Sequence, residues 1–262
     1  MQTVISKDGT QIAFDKIGQG PALILVGGAF HSRSIDPRMT QLARLLSKYY
    51  TTYHYDRRGR GDSTDAQPYA VDREIEDISA LIKDSGRSVY LFGMSSGAVL
   101  ALHAAAQGLD IKKLAVYEPP FNSGNDDARK AAERYTKQLN LLLLENRRSE
   151  AVELARRSWG TPPNIIAVMK QTPAWSMFES VAPTLAYDNE IMGDGSLPEK
   201  LVASVTIPLL VIDGGASPLF MRNAAKGVKD AAPRAQYRTL EGQTHEYDQA
   251  VLAPVLIEFF SS

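Results

Sequence analysis

The chain has 262 residues, with 29 lysines and arginines against 30 aspartates and glutamates, four histidines and no cysteine. A formal net charge of −1 offers no field of either sign to hold a nucleic acid or an anionic membrane surface. The lack of cysteine excludes disulfides, thiolate nucleophiles and cysteine-ligated metals.

The start of the chain, Met1-Gln-Thr-Val-Ile-Ser-Lys-Asp-Gly, lacks the charged and long apolar regions of a signal peptide. No apolar run approaches the ~20 residues of a membrane span. The expected location is therefore the cytoplasm, away from membranes, and the oligomeric state is not legible. Thr10–Lys16 alternates polar and apolar residues and pairs with residues 2–6 across an Asp8-Gly9 turn. Ala22-Leu-Ile-Leu-Val26 is a continuous apolar run ahead of two glycines, the pattern of a strand buried on both faces. Residues 36–48 read as a helix with Met39, Leu42, Leu45 and Leu46 on one face. A strand at Tyr50–Tyr55 and a helix over 71–84 follow. The apolar run at 88–92 is the next strand, Ala98–Ala106 a small-residue helix, and Lys113–Tyr117 another buried strand ending at Glu118-Pro119-Pro120.

The alternation breaks between about 120 and 203, where helical periodicity is punctuated by proline and glycine. Tyr135, Leu139, Leu142 and Leu143 share one face, and Val152, Leu154 and Ala155 begin a second helix. This stretch reads as a helical cap or lid inserted after the sixth strand. Strand and helix then resume with Ile207–Ile212, a helix near 219–230, Ala235–Leu240 and a final helix over 248–260. The expected class is α/β, a mostly parallel twisted sheet covered by helices on both faces. Residues 1–119 and 204–262 form its core, and residues 120–203 the cap.

Between the apolar run at 88–92 and its helix stands Gly93-Met94-Ser95-Ser96-Gly97. A serine that attacks a carbonyl must stand clear of the backbone, so the chain turns sharply at that residue and stores about 1–3 kcal/mol of strain. Glycines on either side let the neighbouring backbone lie close. Upstream of it lie Leu25-Val26-Gly27-Gly28-Ala29-Phe30 and Tyr55-Asp56-Arg57-Arg58-Gly59-Arg60-Gly61-Asp62-Ser63, and downstream lies Gly242-Gln243-Thr244-His245. With these four segments in this chain order (25–30, 55–63, 93–97, 242–245), the chain resembles the α/β-hydrolase superfamily over nearly its whole length outside the cap.

The resemblance implies Ser95 as nucleophile. His245, on the short loop after the last strand, would be its base. Of the other histidines, His54 and His103 read as structural, and His31 lies in the loop that relatives use to bind the oxyanion. The same resemblance assigns the oxyanion donors to the backbone N–H groups of Ala29 and Ser96. Most relatives carry the third residue, an aspartate, just past the seventh strand in a G-x-x-D pattern, but here Asp213-Gly214-Gly215-Ala216-Ser217 puts serine there. Some branches, haloalkane dehalogenases among them, carry the acid at the end of the sixth strand. Glu118 is therefore the preferred acid, with Asp213 the runner-up. Arg57, Arg58 and Arg60 are interleaved with Asp56 and Asp62 and read as a salt-bridged scaffold. Trp159, Trp175, Met177 and Phe178 either face substrate or pack the cap onto the core.

The expected activity is cofactor-free, metal-free hydrolysis of a small or medium ester, lactone or thioester through an acyl-enzyme on Ser95. A haloperoxidase, a perhydrolase or a carbon–carbon bond hydrolase would reuse the same residues. The missing aspartate at 217 leaves a third reading, a ligand-binding protein on a hydrolase scaffold. Neither cofactor, metal, nucleic acid nor membrane is implied as a partner, only a small-molecule substrate.

Overall fold

The computed structural model describes residues 1–262. An eight-stranded sheet runs in the order β1-β2-β4-β3-β5-β6-β7-β8. The hairpin β1 (Gln2–Ile5) and β2 (Gln11–Ile17) is antiparallel, with Val4 opposite Ile12, and β2 pairs antiparallel with β4 (Thr51–Tyr55). From β4 onward, β3 (Ala22–Val26), β5 (Val89–Met94), β6 (Ile111–Tyr117), β7 (Leu209–Gly214) and β8 (Ala235–Leu240) are parallel. Every residue of β3 and β7 is buried, as continuous apolar runs require when helices cover both faces. The seventh strand opens at Leu209 rather than Ile207, because Pro208 has no N–H to add to the ladder.

Helices α1 (Pro37–Leu46) and α11 (Gln249–Ser261) cover one face of the sheet, while α2 (Val71–Ser85), α3 (Ser96–Ala106) and α10 (Leu219–Ala231) cover the other. Helix α1 starts where Asp36 accepts the N–H groups of Arg38 and Met39 and Pro37 takes the first helical position. Its buried stripe is Met39, Leu42, Ala43 and Leu46, so Ala43 replaces the expected Leu45, which is only half-buried.

Between β6 and β7 the chain is wholly helical: α4 (Asp126–Leu144), α5 (Arg148–Ser158), α6 (Pro163–Met169), α7 (Ala174–Val181), a single 3-10 turn (Ala182–Thr184), α8 (Leu185–Met192) and α9 (Glu199–Ala203). These helices have a separate apolar cluster built around Leu139, Val152, Trp175 and Leu185, and Phe30 from the loop after β3 inserts into it. That ring ties the loop after β3 to the helical segment.

The strand order reverses beside β3. The chain passes from β3 outward to β4 and returns to β5 on the other side of β3. Loops leaving the carboxyl ends of β3 and β5 therefore diverge and open a crevice, the usual ligand position in open α/β sheets.

Candidate active site

Ser95 occupies that crevice with φ 54° and ψ −130°, a conformation few residues other than glycine adopt. Its N–H donates to the carbonyl of Tyr117 at 3.0 Å, which anchors the turn to the tip of β6. The flanking glycines are sterically required. A Cβ on Gly93 would come 2.5 Å from the carbonyl oxygen of Gly97, and one on Gly97 would come 2.5 Å from the carbonyls of Val26 and Gly27. Gly28 is equally constrained, since a Cβ there would lie 2.8 Å from the Cβ of Ser95. The loop after β3 thus presses directly against the serine.

Glu118 repeats the device one strand over. It follows β6 with φ 44° and is fully buried. Its N–H donates to the carbonyl of Ile212, and its Oε1 accepts the N–H of Gly214 at 2.8 Å. Its Oε2 lies 2.8 Å from Nδ1 of His245. Asp213 takes no part in this contact. It accepts from Arg222 Nε at 3.0 Å and from the Tyr237 hydroxyl at 2.7 Å. Ser217 is buried and its hydroxyl has no hydrogen-bond partner. The bond to Glu118 is the only one His245 makes through its ring, so Ser95 and the imidazole share a cavity wall without being hydrogen-bonded in this resting arrangement. Such bonds often tighten only once substrate is bound.

Ala29, Ser95, Ser96 and His245 line one cavity of about 920 Å³. Ser96 opens α3, so its N–H is among the helix donors with no intrahelical acceptor. The orientation of the Gly28–Ala29 peptide is fixed from behind: Arg60 Nη1 donates to the Gly28 carbonyl at 2.6 Å. In a trans peptide the N–H points opposite to the C=O, so the Ala29 N–H faces away from Arg60. His31 also lines the cavity, with Nδ1 2.6 Å from Asp36 Oδ2, but the two are misaligned and neither atom completes a hydrogen bond. Burial works to raise the Asp36 pKa, yet the His31 imidazole and the backbone at Met39 hold it down at about 2.

The arginine cluster is a buried ion-pair network. Arg57 grips Glu74 with two hydrogen bonds of 2.7 and 2.6 Å, and Arg58 grips Asp77 in the same fashion. Arg57 and Arg60 both reach Asp188 of α8, at 2.7 and 2.6 Å, and Ser96 Oγ donates to Asp188 at 2.7 Å. Burial penalises the Asp188 carboxylate, but the two guanidinium groups and the Ser96 hydroxyl outweigh it and hold its pKa at about 2. Asp188 escaped the sequence reading, because nothing in Leu185-Ala-Tyr-Asp-Asn-Glu190 marks it out from an ordinary helical aspartate.

Of the cap aromatics, Trp159 and Phe178 border the cavity, whereas Trp175 is buried with its indole N–H on Ser149, and Met177 is partly exposed outside it. His54 is buried in β4 beside Thr40, and His103 sits half-buried on α3 away from the cavity. No group of three or more histidines and carboxylates is arranged to hold a metal ion, and no helix is long and apolar enough to cross a membrane.

Among solved structures, an alpha/beta hydrolase from Sphaerobacter thermophilus is 49% identical with a TM-score of 0.90, covering 99% of this chain and 100% of that one. An uncharacterized hydrolase, YraK, of Bacillus subtilis is 30% identical over 57% of this chain and 55% of its own length. An N-formylmaleamate deformylase of Pseudomonas putida is 38% identical over 40% of this chain and 40% of its own length. The chain thus spans about half the length of the curated relatives it matches. The profile of the Alpha/beta hydrolase family matches residues 23–253, and the chain belongs to that family.

Proposed function

We propose that the protein is a cofactor-free serine hydrolase that cleaves a small or medium ester, lactone or related acyl compound through an acyl-enzyme on Ser95. The observation that carries the reading is the pair of strained strand tips. One holds a serine in the crevice, and the other holds a buried glutamate 2.8 Å from an imidazole on the same cavity wall.

In this mechanism Glu118 keeps the proton of His245 on Nδ1, which leaves Nε2 free to accept the Ser95 proton. The serine oxygen attacks the substrate carbonyl. The N–H groups of Ala29 and Ser96 receive the charge that develops on the carbonyl oxygen, already oriented by Arg60 and by the start of α3. His245 then protonates the leaving group, and water enters by the same route in reverse to release the acid. The helices of residues 126–203 act as the cap, and their aromatic side chains supply the apolar wall. A cavity of about 920 Å³ suits a substrate of drug-like size or smaller, since ligand pockets run to ~300–1,000 Å³. The deformylase among the relatives keeps amide-type acyl transfer within the range of substrates to screen.

The test is covalent labelling. A fluorophosphonate should add one phosphonyl group to the wild-type protein and none to Ser95→Ala, while His245→Gln should slow the labelling by orders of magnitude. Folded wild-type protein that resists the probe and shows no turnover of p-nitrophenyl acetate would refute the proposal and favour a binding role.

A further inference from the structure

The charged groups on the cavity wall do not balance. Asp36 is paired with His31, Glu246 with Arg38, and Asp188 with both Arg57 and Arg60. Each carboxylate facing the cavity therefore has a basic partner, with Arg38 Nε also 3.8 Å from Asp36. Arg156, on α5, also faces the cavity and forms no ion pair or hydrogen bond. Its Nε is shut off from solvent without any acceptor. The guanidinium is held by aromatic faces instead: its central carbon lies 4.6 Å from the ring centre of Phe178, 4.8 Å from Phe30 and 5.9 Å from Trp159. Burial, with the charge of Arg38 adding to it, pushes the Arg156 pKa below its usual value, as befits a desolvated cation with no counter-ion.

Stacking engages the faces of a guanidinium and leaves its N–H edge for in-plane acceptors. Its buried Nε–H without an acceptor is a cost the fold carries by itself. We infer that Arg156 is an anion subsite of the hydrolase proposed above, and that the preferred substrate carries a carboxylate at the end of its acyl chain. Phe30 immediately follows Ala29, so the subsite begins one residue beyond the expected oxyanion donor, within the same cavity. A carboxylate is favoured over a phosphate because one guanidinium fork matches two carboxylate oxygens. A phosphate dianion would need further donors, and Arg38 is already neutralised by Glu246. Half-esters of short dicarboxylic acids have the required form.

The experiment compares p-nitrophenyl hydrogen glutarate with neutral p-nitrophenyl butyrate, and binds glutarate, inorganic phosphate and neutral glutaramide to Ser95→Ala by calorimetry. In the wild type, kcat/KM should favour the anionic ester by about 10–100-fold, the factor a charge-assisted hydrogen-bonded pair carries. Arg156→Met should collapse that ratio through KM, and Arg156→Lys should restore part of it. Glutarate should bind Ser95→Ala at least tenfold tighter than glutaramide, and phosphate binding as tightly as glutarate would overturn the carboxylate assignment. Should Arg156→Met fail to fold, the wild-type ratio and competition by glutarate against glutaramide still decide the matter. Turnover of both esters with no preference, or a ratio that Arg156→Met leaves unchanged, overturns the subsite and spares the hydrolase reading. Absence of turnover and labelling, with glutarate binding that depends on Arg156, overturns the hydrolase reading and spares the subsite.

Discussion

Replacing Glu118 by glutamine exchanges one carboxylate oxygen for an NH2 group with almost no change in shape. The carboxylate makes two contacts, accepting the Gly214 N–H at 2.8 Å through Oε1 and facing His245 Nδ1 at 2.8 Å through Oε2. The glutamine carbonyl retains the Gly214 bond, so its NH2 must face the imidazole. Nδ1 then has to accept, which moves the ring proton to Nε2 and turns that nitrogen from an acceptor for the Ser95 proton into a donor. Wrong-tautomer variants of serine hydrolases lose about 10⁴ in kcat with their geometry intact, equivalent to about 5.5 kcal/mol of transition-state stabilisation. A loss of that size is expected in p-nitrophenyl acetate hydrolysis by Glu118→Gln, with KM little changed and the melting temperature within a few degrees of wild type. Asp213→Asn serves as the control. Asp213 spends its carboxylate on Arg222 and Tyr237, so its variant should keep turnover within a few-fold. If Glu118→Gln stays near wild type while Asp213→Asn collapses, the acid has been assigned to the wrong strand.

Gly28→Ala should fold and yet lose at least tenfold in turnover and in phosphonate labelling, because its Cβ would lie 2.8 Å from the Cβ of Ser95. Ser217→Ala should leave activity unchanged and stabilise the fold by about 1 kcal/mol or more, since the buried hydroxyl it removes has no partner. Denaturant titration should find Asp188→Asn less stable by about 3–5 kcal/mol, because it leaves Arg57 and Arg60 buried without their shared carboxylate. Acid should unfold the protein in two stages. Burial depresses the His54 pKa from 6.5 to about 4, so between those values the unfolded chain takes a proton that the folded one refuses, and about 3 kcal/mol is lost as pH falls through this window. Below about pH 4 the carboxylates Asp36 and Asp188, both held near 2 against an ordinary 3.8, add a second fall. His54→Asn should shrink the first stage to what His103, also depressed by burial, contributes, and leave the second in a pH series of urea midpoints.

The strands and the sharp turn at Ser95 were legible because their signals are local: continuous apolar runs, a Gly-x-Ser-x-Gly spacing and a small-residue helix behind it. The proximity of Glu118 to His245 was legible only indirectly, from a serine standing at 217 and from the side-by-side arrangement of parallel strand tips. The roles of Asp188, Arg60 and Arg156 were not legible at all. Asp188 meets Ser96 from 92 positions away. Arg60 acts on Gly28 through a backbone carbonyl, which leaves no mark on the residue type. Arg156 differs from the other arginines of the helical segment in having its Nε buried with no acceptor, and that appears only once α5 has been packed against Phe30 and Phe178. Periodicity assigns a face to each helix but does not say which face of another element it will meet.

The buried network around Asp188 gives the helical segment a grip on both expected oxyanion donors. One carboxylate oxygen receives Ser96 Oγ, on the residue whose N–H is the first donor. The other receives Arg60, whose second nitrogen holds the carbonyl of the peptide that contains the second donor, the Ala29 N–H. A shift of α8 is therefore felt at both donors together. Ion pairs this deeply buried are rarely the cheapest way to stabilise a fold, since well-packed apolar residues of the same volume often do as well or better. What they supply here is direction, because a guanidinium fork bonded at both ends tolerates little rotation. Two N–H groups fixed in advance need no reorganisation when charge develops on a substrate oxygen, and that alignment is worth about 3–4 kcal/mol per donor in serine hydrolases. In the proposed mechanism, three buried charges between the helices and the sheet would serve the orientation of the donors more than fold stability.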